Sequence, residues 1–242
     1  MPTPQPNPTP LYRQVKQILL ERIASGVWRP GDLLPAEPRL GQDLGVSPGT
    51  VRKALDELEA EHLVTRQQGR GTFVATHTPM SSLFHFFRLV DEQGRRVEPT
   101  GRELAREQAL ASPEERARLQ LPARARVLRL RRVRRADGHG ALLESIVVPT
   151  RFFPDLRAYP GELPNTLYDL YQRGYGKTVR RVAEWLRAIA VEDPATAGLL
   201  GLQVGAAVLE IDRIAYTFDD VPVEWRHSLV DTRSLRYVSE LN

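Results

Sequence analysis

Cysteine is absent from this 242-residue chain, which excludes disulfides, thiolate catalysis and cysteine-ligated zinc. The chain also lacks a run of about 18 apolar residues, the length that a membrane-spanning helix needs. Its first residues, MPTP, contain neither the charged nor the apolar region of a signal peptide. We therefore expect a cytoplasmic protein without a membrane partner.

Histidine is scarce as well, and its spacing is not that of a metal site. No nucleophile motif is present, and the two glycines around Arg70 form too short a segment for a dinucleotide-binding loop. The sequence therefore favours a protein that is not an enzyme and needs neither metal nor cofactor. The five histidines are His62, His77, His85, His139 and His227.

The length and composition indicate two domains, because a hydrophobic content of 41% is enough to form two cores. The net charge of +4 is only a weak indication of a nucleic-acid partner. Residues 1–75 hold nine Lys and Arg against eight Asp and Glu. The placement of the charges is therefore more informative than their sum.

The most informative stretch runs from Val46 to Val74. Ser47 is a good helix N-cap and Pro48 fits the first helical position, so a helix is predicted to begin there. Apolar residues at i, i+3, i+4 and i+7 then form the packing face of this helix. They are Val51, Ala54, Leu55 and Leu58.

The opposite face of this helix carries cations early, at Arg52 and Lys53, and acids late, from Asp56 to Glu61. The helix dipole favours the reverse order, so local helix stability does not explain this layout. A DNA major groove that receives the N-terminal half of a recognition helix would explain it. The alternative is that both cations only pair with the acids four residues further on.

Two β-prone runs, Leu63–Arg66 and Gly71–Val74, follow the helix and flank a turn that contains glycine. This hairpin carries Arg66 and Arg70. Beside a recognition helix it predicts the wing of a winged helix-turn-helix domain, which reaches toward phosphates or the minor groove.

Upstream of this stretch, apolar residues follow helical spacing from Leu11 onward. The segment Val27–Leu34 is expected to form a short strand and a turn. A second helix should begin near Ala36 or Glu37 and end at Gly45, which gives the order helix, turn, helix.

These motifs resemble those of the GntR family of bacterial transcription regulators. The similar segments are LPAE at Leu34–Glu37, GVSPGTVRKAL at Gly45–Leu55 and RQQGRGTFV at Arg66–Val74, within about residues 10–76. The resemblance implies a winged helix-turn-helix domain that binds double-stranded DNA. The implied contact residues are Ser47, Thr50, Arg52, Lys53, Arg66, Gln68, Gly69, Arg70 and Thr72.

The rest of the chain contains an internal repeat with an offset of 81 residues. Pro113 and Pro194 each open a short helix, and a strand valine follows fourteen residues later, at Val127 and Val208. Each copy continues with a turn and a second strand that contains a glutamate. Two such units predict an antiparallel sheet with pseudo-twofold symmetry, helices on it, and a ligand cleft between the halves.

Parity along the first repeated strand places Arg132 and Arg134 on the same face as two leucines, and the returning strand brings Glu144 to that face. A buried guanidinium needs an acceptor, which either the protein or a bound anion supplies. One interpretation is an internal network of these three residues with Glu224. The other is a pocket for a small anionic or zwitterionic effector.

This region resembles the effector domain of the HutC subfamily of GntR regulators, the UTRA domain, whose fold is like that of chorismate lyase. The similar residues, within about 83–242, are Arg132, Arg134, Leu143–Ser145, Leu167–Tyr168 and Pro222–Glu224. The effector-binding residues that this resemblance implies are Arg132, Arg134, Glu144, Tyr168 and Glu224.

We therefore predict an α+β protein, with an N-terminal winged helix-turn-helix domain joined to a C-terminal antiparallel-sheet effector domain with flanking helices. The expected segments are a flexible Pro-rich arm (1–10), the DNA-binding domain (11–76), a linker (77–82) and an effector-binding and dimerisation domain (83–242). The expected function is that of a homodimeric repressor that binds a near-palindromic operator and responds to a small-molecule effector. Lyase-like activity in the C-terminal domain and ligand-independent DNA binding are the alternatives.

Overall fold

The computed structural model describes residues 9–61, 63–75, 87–136 and 139–239. The chain divides into two compact units, Met1–Thr76 and His77–Asn242. Most of the Pro-rich arm and the whole expected linker lie outside the described residues. Among the helices that are described, none combines the length and the apolar character needed to cross a bilayer.

The N-terminal unit contains three helices, α1 (Leu11–Ala24), α2 (Glu37–Leu44) and α3 (Pro48–Ala60). The apolar stripe predicted for α3 is buried, and it packs with the buried face of α1 and with Leu40 of α2. The helix-turn-helix order read from the sequence is therefore present.

Two glycines allow α2 and α3 to approach closely. Gly45 ends α2 with a φ of 65°, a left-handed conformation that a residue with a Cβ adopts only with strain. A Cβ on Gly41 would lie 2.8 Å from the carbonyl oxygen of Val46, in the turn between the helices. The turn therefore depends on the absence of a side chain at two positions.

The predicted hairpin forms from β1 (Val64–Gln67) and β2 (Gly71–Val74), which pair antiparallel. The strand expected in Val27–Leu34 is reduced to a single bridge between Leu33 and Phe73. The reason is local, since Pro30 has no amide hydrogen to donate and the next residue is a glycine in a left-handed conformation.

The C-terminal unit is built on a six-stranded antiparallel sheet with the order β4-β5-β6-β9-β8-β7. A separate two-stranded sheet pairs β3 with β10. The strands are β3 (Leu89–Val90), β4 (Pro99–Leu110), β5 (Arg126–Ala136), β6 (His139–Pro149), β7 (Arg181–Ala190), β8 (Ala207–Tyr216), β9 (Pro222–Val230) and β10 (Arg236–Tyr237). The helices are α4 (Pro113–Leu119), α5 (Leu167–Tyr175) and α6 (Pro194–Leu200), with a 3-10 turn at Leu156–Ala158. The α+β fold prediction is confirmed.

The sheet consists of two related halves, β4-β5-β6 and β9-β8-β7, which meet at its centre, as the internal repeat predicts. In one half α4 leads into β5 and β6, and in the other α6 leads into β8 and β9. Both helices are capped as predicted, by Ser112 and Asp193. The two glutamate-bearing strands, β6 and β9, therefore lie side by side in the middle of the sheet.

Different helices pack on the two faces of the sheet. On one face α4 and α6 pack over separate apolar clusters that include Val127 and Val208. On the other face α5 packs over a cluster that contains Leu128 and Leu130. Arg132 and Arg134 follow these leucines on the second face and are buried, as parity predicts.

Arg106 of β4 holds the segment after the 3-10 turn against this second face. Its guanidinium donates to the carbonyl oxygens of Tyr159 and Gly161, both at 2.8 Å, and forms a bidentate pair with Glu103. Only 11% of the Arg106 side chain is exposed. Because a buried carboxylate and several carbonyl groups depend on this one cation, its loss should destabilise the unit.

We expect Arg106→Ala to lower the free energy of unfolding of the C-terminal unit by about 3 kcal/mol. Urea unfolding followed by circular dichroism measures this change. The control is Arg102→Ala, which removes an exposed arginine from the same strand and should leave the midpoint unchanged. Equal stability of the two variants would contradict this role for Arg106.

Candidate DNA-binding surface and effector site

The start of α3 is fixed by its own side chains. Ser47 Oγ accepts the Thr50 backbone N–H at 3.1 Å and lies 2.9 Å from the Thr50 hydroxyl. This cap replaces one of the bonds that the first helical turn lacks. Two of the sequence-predicted contact residues therefore also position the helix N-terminus, and Ser47 is exposed.

The two cations on α3 have partners from other helices. Arg52 Nε and Nη2 lie 2.9 Å and 2.8 Å from Glu37 Oε2, at the start of α2. The Lys53 ammonium lies 4.2 Å from the ring centroid of Tyr12, on α1. These contacts differ from the i, i+4 pairs considered from the sequence, and they orient both cations.

The acids on α3 have a tertiary explanation that the sequence did not reveal. Glu57 and Glu61 both accept hydrogen bonds from Lys16 of α1, at 2.9 Å and 2.7 Å. Asp56 and Glu59 lie 2.6 Å and 2.8 Å from Arg66 Nη1, in the hairpin. The charge order therefore has an internal cause beside the DNA partner considered from the sequence, because the acids join α3 to α1 and to the hairpin.

The hairpin presents the remaining predicted contact residues. Arg66 pairs with Thr72 across the two strands, and Gln68, Gly69 and Arg70 form the connecting turn. Gly69 has a φ of 71°, which the turn requires. Arg70 lies over the ring of Phe73 at 5.7 Å. The predicted residues of α3 and of the hairpin thus belong to one N-terminal unit, in which Arg66 connects them.

Glu144 is the central charge of the candidate effector site. Its Oε2 accepts a hydrogen bond from Arg132 Nε at 2.9 Å, and its Oε1 accepts one from Arg226 Nη1 at 2.8 Å. Arg134 Nη1 lies 3.5 Å from Oε1. All four side chains are buried, so one carboxylate faces three guanidinium groups in the interior of the sheet.

The charge states follow from this geometry. Burial alone would raise the pKa of Glu144, but Arg132, Arg226 and Arg134 outweigh it and hold the pKa well below its ordinary value. Burial lowers the pKa of Arg134, although Glu144 opposes the shift. Glu144 is therefore an anion at neutral pH.

Glu224 accepts four hydrogen bonds, which use the capacity of a carboxylate. Tyr168 and Tyr171 of α5 donate to it at 2.9 Å and 2.8 Å, and Arg226 donates twice, at 3.0 Å each. Burial and the negative charge of Glu224 raise the pKa of both tyrosines, which remain neutral donors. Glu224 lies beside the other residues predicted for the site. Its acceptor positions, however, are occupied by its own neighbours.

Two buried guanidinium nitrogens within the described residues, Arg132 Nη2 and Arg134 Nε, make no hydrogen bond. Arg132 Nη2 lies 2.8 Å from Glu144 Oε2, at ion-pair distance but outside hydrogen-bonding geometry. Arg134 Nη2 donates to Asn165 Oδ1 at 2.7 Å. Arg134 therefore keeps a buried donor for which the described part of the chain offers no acceptor.

A small cavity of about 20 Å³ lies beside Glu144, with room for a single water molecule. Its cover includes Phe87–Leu89, at the start of the described C-terminal unit, and Tyr237 of β10. The complete lining is Phe87, Arg88, Leu89, Leu142, Glu144, Ile211, Arg213, Arg226, Ser228 and Tyr237. In this structure the cavity therefore has room for water and for no larger ligand.

Arg226 and Tyr171 belong to this site but were not named from the sequence. Arg226 lies two residues after Glu224, so strand parity alone would have placed it on the same face. Tyr171 lies one helical turn after Tyr168, which is also a readable signal. Among the described residues, no cluster of three or more His, Asp or Glu side chains could hold a metal ion.

Comparison with known proteins gives matches in both units. The family described as UTRA domain matches residues 93–236, and the family described as bacterial regulatory proteins, gntR family, matches residues 11–74. The transcriptional repressor NagR of Bacillus subtilis (strain 168) is 30% identical over 211 residues, 87% of this chain and 86% of NagR. A histidine utilization repressor of Klebsiella aerogenes is 48% identical over 81 residues, 34% of each chain.

A solved structure resembles almost the whole chain. PhnF from Mycobacterium smegmatis has a TM-score of 0.56 and 26% identity, and the match covers 93% of this chain and 98% of PhnF. These matches confirm the resemblance to GntR and HutC regulators that the sequence motifs indicate.

We expect Glu144→Gln to destabilise the C-terminal unit by about 3 kcal/mol at pH 7, because three buried cations lose their shared anion. The wild-type advantage should shrink as the pH falls below about 4.5, the ordinary pKa of glutamate. There the unfolded carboxylate binds a proton while the folded one, with its lowered pKa, does not. Urea unfolding at pH 7 and pH 4 measures both effects.

The matched control for this variant is Glu107→Gln, which neutralises an exposed carboxylate on β4. It should unfold like the wild type at both pH values. An unchanged unfolding midpoint in Glu144→Gln would mean that the buried arginines do not depend on this carboxylate.

Proposed function

The chain belongs to the GntR family of bacterial regulatory proteins and carries a UTRA effector domain, so it is a DNA-binding transcriptional regulator, and we propose that it acts as a repressor controlled by a small anionic or zwitterionic effector. The relatives NagR and the histidine utilization repressor are both repressors by name. We propose cytoplasmic action, as for any regulator that binds chromosomal DNA.

Arg52 and Arg66 are the centre of the proposed DNA-binding surface. Both guanidinium groups meet at Glu37, at 2.8 Å and 3.6 Å, so a recognition-helix cation and a wing cation occupy one site. This convergence is the single observation that carries the DNA half of the proposal. A major-groove helix beside a phosphate-contacting wing uses this arrangement. The other proposed contacts are Ser47, Thr50, Lys53, Gln68, Gly69, Arg70 and Thr72.

The proposed assembly is a homodimer in which the effector domains hold two DNA-binding domains. Half-sites one helical turn apart, roughly 34 Å, would then be read on a near-palindromic operator. We propose residues 11–76 as the DNA-binding domain, 77–82 as the linker, 83–242 as the effector-binding and dimerisation domain, and the Pro-rich residues 1–10 as a flexible arm.

Arg134 is the residue that favours an anionic effector. Its Nε is a buried donor that finds no acceptor among the described residues, and Arg132 Nη2 makes only an ion pair with Glu144. An anionic group of the effector would supply the missing acceptors, and Asn165 would complete the contact. Glu144, Tyr168 and Glu224 remain in the proposed site, with Glu224 and Tyr168 acting mainly by holding Arg226 and α5 in place.

The cover of the cavity supports a mechanism for control. Phe87–Leu89 line the cavity and directly follow the segment that leads from the DNA-binding domain. An effector that opens the cavity must displace these residues. A coupling of about 1–3 kcal/mol would alter operator affinity roughly 5- to 150-fold.

A lyase-like enzyme is the competing function, because the effector domain that this region resembles has a fold like that of chorismate lyase. The charges at the site favour a sensor, since four internal hydrogen bonds occupy Glu224 and three guanidinium groups hold the pKa of Glu144 below its ordinary value. A DNA-binding protein without an effector would not need the buried Arg134 Nε donor, which lacks an acceptor among the described residues.

The DNA half is tested with Arg52→Ala and Arg70→Ala proteins. Each should weaken binding to a duplex selected by the wild type from a random pool, about 5- to 150-fold if the arginine reads a base. If the arginine instead contacts a phosphate, its loss should reduce the slope of log Kd against log salt concentration by about one. Fluorescence anisotropy at several salt concentrations measures both.

Arg102→Ala, with its exposed side chain in the C-terminal unit, is the control and should bind like the wild type. Identical affinity and salt dependence for all three variants would remove the contact assignment. A wild type that selects no sequence from the pool would remove the proposed function itself.

The effector half is tested by calorimetry with small anions, among them amino acids, carboxylates and phosphorylated sugars. A compound that binds the wild type should lose at least about tenfold in affinity for Arg134→Lys, which keeps the charge but lacks the Nε and Nη2 donors. Arg135→Lys, exposed on the opposite face of the same strand, is the matched control. Equal binding to both variants would contradict an anion site at Arg134.

A further inference from the structure

Glu37 is not among the residues to which the sequence motifs assign a DNA contact, yet it contacts both arginines at the centre of the proposed surface. It occupies the first turn of α2, and its side chain is only 20% exposed. The Arg52 side chain, by contrast, is 66% exposed. A partly buried carboxylate therefore anchors an arginine that faces solvent.

The contact uses one side of the Arg52 guanidinium. Nε and Nη2 both point to Glu37 Oε2, at 2.9 Å and 2.8 Å, and Nη1 takes no part in this contact. A guanidinium held in this way presents its outer edge in a fixed direction. Two parallel N–H groups on that edge match the O6 and N7 acceptors of guanine in the major groove.

The same carboxylate reaches the wing. Its Oε1 lies 3.6 Å from Arg66 Nη2, while Asp56 and Glu59 hold the Nη1 of that arginine at 2.6 Å and 2.8 Å. The wing is thereby tied to α3, and Glu37 ties α2 to both. The position of Arg52 relative to the wing is fixed before any DNA arrives.

We infer that Glu37 is a positioning residue that determines sequence specificity: it aims Arg52 at a guanine and keeps the recognition helix and the wing in one geometry. This inference rests on the proposed DNA-binding function. An unrestrained arginine would lose rotamer freedom on binding, which weakens a specific contact about 2- to 10-fold. Binding to random DNA depends on net charge alone, and a carboxylate opposes it.

The test is Glu37→Gln, measured by fluorescence anisotropy on the duplex selected by the wild type and on a random duplex of equal length. The selected duplex should bind about 3- to 10-fold more weakly. The random duplex should bind equally well or more tightly, because one negative charge is gone. Opposite responses distinguish positioning from misfolding, which weakens both, and from a plain charge effect, which strengthens both.

The matched control is Asp43→Asn, which removes another carboxylate of α2 that is paired with an arginine, Arg39, at 3.1 Å. It should show only the charge effect. Combined with Arg52→Ala, the Glu37→Gln change should cost clearly less on the selected duplex than it costs alone, because one of the two arginines that Glu37 positions is gone. Glu37→Asp, with its shorter reach, serves as the second variant if Glu37→Gln does not fold.

Three results would overturn the inference. They are an equal change on both duplexes, the same behaviour in Asp43→Asn, or full additivity with Arg52→Ala. A wild type without any preferred duplex would instead show that the proposed function has failed, and this is read from the wild-type measurement alone.

Discussion

A carboxylate shared by three buried guanidinium groups is the interaction on which the C-terminal unit depends. The register of the sheet makes it possible, because Arg132 lies directly opposite Glu144, and Arg226 lies two pairs further along on the next strand. Charges buried in a sheet are tolerated only with partners at hydrogen-bond distance. The two halves of the sheet meet at β6 and β9 and bring these partners together. The same residues therefore stabilise the fold and form the candidate site.

The need of buried charges for partners also decides which polar groups remain available for a ligand. Glu224 is fully occupied by two tyrosines and Arg226, and this leaves α5 fixed on the sheet. Arg134, at the end of the buried row, retains a donor without an acceptor. The network is complete at one end and incomplete at the other, and the proposed anion site lies at the incomplete end.

Much of this arrangement could be predicted from the sequence, because local signals carried it. Caps and prolines placed the helices, the repeat placed the paired half-sheets, and parity placed Arg132 and Arg134 in the interior. The features that could not be predicted depend on tertiary contacts. Lys16 and Arg66 approach the acids of α3 only after the chain has folded, so the charge pattern of a single helix could not reveal these ion pairs. The cavity cover was missed because β3 and β10 are short strands from opposite ends of the unit.

The repeat also gives each position on one half of the sheet a counterpart on the other. Glu103 lies opposite Arg132 in the first half, just as Glu184 lies opposite Arg213 in the second. The partners have diverged, since Arg213 bonds to Glu184 while Arg132 bonds to Glu144. The first half therefore pairs its arginine with the central strand β6, whereas the second half pairs its arginine with the edge strand β7.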